Sequence, residues 1–302
     1  MGNINDPDQK GNQYSDFQLV NDDKIEALGK FECYEDKNTG KFYLVFESNY
    51  AISNPEMAES AVTQLKKIES MRNSCKLVTQ TVGKSKVLCF DNYSINLCFE
   101  YYNSNMATVI RTRVPGTKVP EAEVWGVVED LVQYLMELRN FELHHGDLQP
   151  KNILFNKNKI VKVMCPLLYT TYENAYRLRL ANDNYKSAFS PEELSVYEMR
   201  GAMGDIDQTK SDIFSLGICL LAYVRGIPFE SFYNFPANRV EMDLVRKEIS
   251  KLIQEDGFSE ELFFFVNVCT KENPIERADL EFLSKIISKK QQKIKTNDKF
   301  YW

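Results

Sequence analysis

The chain has 302 residues, 43% hydrophobic and 26% charged, the balance of an ordinary globular protein large enough for one big domain or two small ones. A formal net charge of −6 argues against a general nucleic-acid binder, which carries a basic stripe. Seven cysteines, an odd number with no pair two residues apart, argue against a disulfide framework or a zinc site and for a reducing compartment.

In chain order, residues 1–22 are polar and poor in large apolar side chains, which predicts a flexible N-terminal arm. Gly2 follows Met1, but Asp6 stands where N-myristoylation takes Ser or Thr, so lipidation is not expected. Phe31–Tyr34 and Lys41–Phe46 flank a polar turn through Gly40 and read as a hairpin. Pro55 opens a helical pattern to Met71. Strands are expected at Lys76–Val82, Lys86–Phe90 and Ile95–Glu100.

The pattern then turns helical. From Pro120 to Phe141, Val124, Val127, Val128, Leu131, Leu135 and Leu138 recur at three- and four-residue spacing. Further helices are expected over Pro191–Met199, Lys210–Val224, Val240–Gln254, Ser259–Cys269 and Ala278–Ile287. No apolar run reaches membrane-spanning length, and no internal repeat is present. A basic stretch from Lys289 ends on Phe300-Tyr301-Trp302, read as a packing anchor.

The only two histidines open the string His144-His145-Gly146-Asp147-Leu148-Gln149-Pro150-Lys151-Asn152-Ile153-Leu154. It resembles the catalytic loop of eukaryotic protein kinases, with His145, Asp147 and Asn152 in register. Three segments support the resemblance in order. Ser190-Pro191-Glu192 is similar to the close of the activation segment. Lys210 to Gly217 is similar to the start of the buried central helix, and Asn273 to Arg277 to the loop whose arginine pairs with the activation-segment glutamate. The resemblance implies an α+β, bilobal protein kinase-like fold, with a small antiparallel-sheet N-lobe at 23–102, a larger helical C-lobe at 103–288 and a tail at 289–302. It also implies that Asp212 holds the catalytic-loop backbone and that Glu192 pairs with Arg277, with His145 as a further structural residue.

The departures fall in the phosphate and metal machinery. No glycine-rich loop precedes Thr39–Glu47, and Phe46 stands where the resembled family has its phosphate-binding lysine. Cys165-Pro166-Leu167 stands where the family has D-F-G, and a thiol is a poor ligand for Mg²⁺. Gly146 replaces the arginine that reads an activation-segment phosphate. The expectation is therefore a pseudokinase and not an enzyme, with Asp147 and Asn152 vestigial and ATP and Mg²⁺ binding absent or weak. Its partners would be proteins, as a scaffold or structural subunit of a stable assembly, with no nucleic acid and no membrane. The expected location is the cytoplasm, with a cytoskeletal assembly as one option. Two alternatives are a divergent active kinase for Ser or Thr, keeping Asp147 and Asn152, and a metal-independent nucleotide sensor.

Overall fold

A computed structural model describes residues 17–25, 29–36, 42–51, 81–89, 92–100, 104–155, 161–163, 190–200 and 206–298. They divide between two compact units, the strands up to residue 100 in one and residues 104 onward in the other. The expected organisation, a small antiparallel sheet and then a larger helical unit, is what the chain adopts.

The first unit is a five-stranded sheet in the order β1-β2-β3-β5-β4, with every neighbouring pair antiparallel. Its strands are β1 (Phe17–Ile25), β2 (Gly29–Asp36), β3 (Phe42–Ala51), β4 (Thr81–Cys89) and β5 (Asn92–Glu100). Two expectations change here. Residues 17–22, assigned by composition to the flexible arm, belong to β1, whose polar Asn21, Asp22 and Asp23 suit an edge strand. The break read between two strands near Gly83 lies inside the single strand β4, where the register shifts between Thr81 and Lys84. A glycine at such an irregularity is ordinary strand grammar. The helix expected over 55–71 lies outside the described residues.

The second unit is built on helices α1 (Met106–Thr112), α2 (Glu121–Asn140), α3 (Pro191–Arg200), α4 (Gln208–Arg225), α5 (Met242–Gln254), α6 (Glu260–Cys269) and α7 (Leu280–Asp298). Two short ribbons accompany them, β6 (Ile153–Phe155) with β7 (Val161–Val163) and β8 (Tyr233–Asn234) with β9 (Arg239–Val240). The apolar stripe of α2, Val124 through Leu138, is buried as its spacing requires. Helix α1 escaped the sequence reading because it is short and holds three β-branched residues in a row, Thr108-Val109-Ile110. Its one signal is Asn105, whose side chain accepts from the Thr108 amide at 2.8 Å as an N-cap. Helix α7 runs to Asp298, so most of the expected tail is helical; Phe300 to Trp302 lie outside the described residues.

Helix α4 is the centre of the unit. Every residue from Ser211 to Val224 is buried, the mark of a helix covered on all sides. Asp207 caps it by accepting from the Lys210 amide at 3.0 Å. Gly217 lets the end of α6 come close: a β-carbon there would lie 2.6 Å from Thr270 Cγ2 and 2.8 Å from Cys269 Cβ. A Gly217→Ala variant is expected to lose about 1–3 kcal/mol in a urea unfolding titration, because the two helices must separate.

Candidate active site

The loop from His144 to Asn152 joins α2 to β6, and a buried carboxylate holds it. Asp212, near the start of α4, accepts from the His145 amide at 2.7 Å and from the Gly146 amide at 2.8 Å. Burial pushes the Asp212 carboxyl up to about 7, against the pull of those two amide bonds. The Cys219 thiol, about two turns further along α4, lies 3.6 Å from the Leu148 carbonyl and pins a second point of the loop.

Gly146 sits at φ +73°, in the left-handed region where a side chain is strained. That explains why the position carries glycine in this chain: the backbone turns there to present two successive amides to Asp212. Gly146→Ala is expected to cost about 1–2 kcal/mol by thermal unfolding, from the backbone conformation alone.

His145 is fully buried. Its Nδ1 accepts from the Asp147 amide at 3.1 Å, and its ring meets Tyr134 edge-on with centroids 6.0 Å apart. The neighbouring His144 is half-buried, and burial lowers its basicity, with Asp207 acting in the opposite sense.

Asp147 and Asn152 come together. Asn152 lies in the 3-10 turn at Pro150–Asn152, and its Nδ2 donates to the Asp147 carbonyl at 2.8 Å and to Asp147 Oδ2 at 3.2 Å. Gln149 Nε2 donates to Asp147 Oδ1 in a short contact. Asp147 is thus an aligned carboxylate with hydrogen bonds to both oxygens. Gln149 was not singled out from the sequence, although it lies inside the loop string. Beyond the turn, Ile153 pairs with Val163 and Phe155 with Val161, and the Phe155 amide donates to the Ser104 carbonyl at 3.0 Å.

Arg277 is 2% exposed and meets Glu193, not Glu192. The Nη1–Oε1 distance is 3.0 Å, while Glu192 is exposed. The correction follows from helix geometry. Consecutive residues of α3 point about 100° apart, so only one of two adjacent carboxylates can face inward. Arg277 is also satisfied by three carbonyls, Lys210 at 2.6 Å, Lys271 at 2.8 Å and Glu272 at 2.9 Å, and it stacks over the Phe214 ring with its guanidinium carbon 5.0 Å from the centroid. Burial raises the Glu193 carboxyl above its ordinary range, and Arg277 opposes that rise.

Phe46 lies in β3, opposite Phe31 of β2 and Leu97 of β5 in the register. Cys165, Pro166 and Leu167 lie outside the described residues. No group of three or more His, Cys, Asp or Glu among the described residues could hold a metal ion, and no helix there is long and apolar enough to cross a membrane.

Residues 41–287 match the protein tyrosine and serine/threonine kinase family. The chain belongs to that family. It is 26% identical over 222 residues to the dual specificity mitogen-activated protein kinase kinase dSOR1 of Drosophila melanogaster, covering 64% of this chain and 52% of the relative. It is 24% identical over 170 residues to the membrane-associated tyrosine- and threonine-specific cdc2-inhibitory kinase wee-1.3 of Caenorhabditis briggsae, covering 56% of this chain and 24% of the relative. The dual specificity mitogen-activated protein kinase kinase sek-1 of Caenorhabditis elegans is 22% identical over 262 residues, covering 84% of this chain and 74% of the relative. The chain thus spans about half the length of the first of these relatives and a quarter of the second.

These matches overturn the expectation that the chain is not an enzyme: its family is one of kinases, and the relatives are named as kinases. That expectation rested on local departures: the missing glycine-rich loop, Phe46, Cys165-Pro166-Leu167 and Gly146. The matched span, residues 41–287, includes Phe46, Gly146 and Cys165-Pro166-Leu167.

Proposed function

We propose that this kinase-family chain is a divergent, ATP-dependent phosphotransferase acting on serine or threonine hydroxyls of a protein substrate. The observation that carries the reading is the Asp147 carboxylate, held by Gln149 and Asn152 on a loop whose backbone Asp212 fixes. In the step, the substrate oxygen bonds to the γ-phosphorus of ATP. The bond from that phosphorus to the β–γ bridging oxygen breaks, and ADP leaves. The hydroxyl proton passes to Asp147. Positioning and charge, more than covalent chemistry, set the rate of such a transfer.

Asn152 commits its amide nitrogen to Asp147, and its amide oxygen is a hard donor of the kind Mg²⁺ takes. Asn152 would help to hold a Mg²⁺ ion, which would supply positive charge to offset what develops on the transferred phosphate. The phenylalanine at 46 and the cysteine at 165 set the further expectation that metal-dependent ATP binding is weak and turnover slow. The relatives named for dual and for tyrosine and threonine specificity make a tyrosine hydroxyl an acceptor to include in the assays.

A thermal-shift titration with ATP tests the binding half of this reading. Millimolar ATP with Mg²⁺ is expected to raise the midpoint by roughly 2–4 °C, and Asn152→Leu to remove the Mg²⁺-dependent part. An unchanged midpoint for the wild type at every ATP and Mg²⁺ concentration would count against it.

A further inference from the structure

The helical unit carries a small pocket of about 190 Å³, lined in part by Gln149, Pro150 and Lys151 of the loop that holds Asp147. Gln149, the residue that donates to Asp147, forms part of its wall, so pocket and proposed proton acceptor share a side chain. Buried Ile110 and Phe229 supply apolar surface. The charged groups around it are Arg111 at the end of α1, Lys151 in the 3-10 turn and Glu230 after α4. Two cations face one anion, on a chain whose net charge is −6. Arg111 and Glu230 are exposed and Lys151 is half-buried. The pocket suits a short side chain with methylenes to lie on the apolar wall and a negative end for the two cations.

We propose that this pocket selects an acidic side chain of the protein substrate, placed close in sequence to the hydroxyl that is phosphorylated. The proposal rests on the phosphotransfer reading, since the pocket matters through the loop it shares with Asp147. An extended peptide advances about 3.3–3.6 Å per residue, so a side chain in the pocket lies a few residues from one at Asp147. Charge complementarity at such a site acts mainly as selection between peptides.

The test uses two synthetic peptides that share one serine and differ only in flanking residues, all glutamate in one and all lysine in the other. Binding is read by fluorescence anisotropy and transfer by labelled ATP. The wild type is expected to bind the glutamate peptide about tenfold more tightly, less so at high salt. Arg111→Glu is expected to remove most of that preference, and Arg111→Glu with Lys151→Glu to invert it. Because Arg111 is exposed, its replacement leaves the fold intact, which circular dichroism checks. Equal binding of the two peptides by the wild type, or a preference that survives Arg111→Glu, overturns the proposal. Preferential binding without any transfer supports the pocket and counts against the kinase reading, so the two ideas fail separately.

Discussion

Replacing Arg277 with alanine is expected to lower the unfolding free energy by roughly 3–5 kcal/mol. The side chain is buried between α3, α4 and the loop after α6, and it answers one carboxylate, three carbonyls and an aromatic face. Its removal leaves Glu193 as a buried charge without a counterion and strips donors from carbonyls of Lys210, Lys271 and Glu272. Chemical denaturation of the variant, with the slope against denaturant compared with wild type, measures the loss. The partner assignment has its own control. Glu193→Ala should cost several kcal/mol by leaving Arg277 unpaired, whereas the exposed Glu192→Ala should stay within about 0.5 kcal/mol. Equal costs for the two glutamates would reverse the assignment.

Asp147→Asn is expected to reduce phosphate transfer by about 10²–10⁴-fold with little change in stability. Asparagine keeps the shape and its single side-chain oxygen can accept from Gln149 or from Asn152 but not from both, and it cannot take the substrate proton. The hydrogen bonds from Gln149 and Asn152 also predict a graded series. Gln149→Ala leaves the carboxylate charged but less well aligned, so its loss should be smaller than that of Asp147→Asn and should fall on kcat more than on KM. Steady-state kinetics on purified variants separates the two.

Legibility from sequence followed the strength of the local signal. The long apolar stripe of α2 and the unbroken apolar run of α4 were readable because both bury a surface that a helix period dictates. Helix α1 was not, since seven residues with β-branched side chains carry little periodic signal. Strand β1 was hidden by its own edge chemistry: Asn21, Asp22 and Asp23 look like a solvated arm until a neighbouring strand pairs with them. The residues of the candidate site were visible as a string of letters, but their connections were not. Nothing in Glu192-Glu193 says which carboxylate turns inward; the start of α3 at Pro191 decides it. The glycine at 146 looked like a lost arginine, whereas its positive φ makes it part of the loop's turn toward Asp212. Enzyme status was the least legible feature, because a few local departures in the phosphate and metal machinery were weighed above a resemblance spread over most of the chain.

Phosphate transfer by this chain is expected to depend on Asp147. The most direct measurement incubates the purified chain with ATP labelled on the γ-phosphate, Mg²⁺ and peptides offering serine, threonine or tyrosine, beside an Asp147→Asn preparation of equal purity. Label is expected on serine or threonine, proportional to enzyme and time, and reduced at least about a hundredfold in the variant, roughly the minimum for loss of a general base. Transfer of equal rate by the two preparations, or none by the wild type above the level without enzyme, would contradict it.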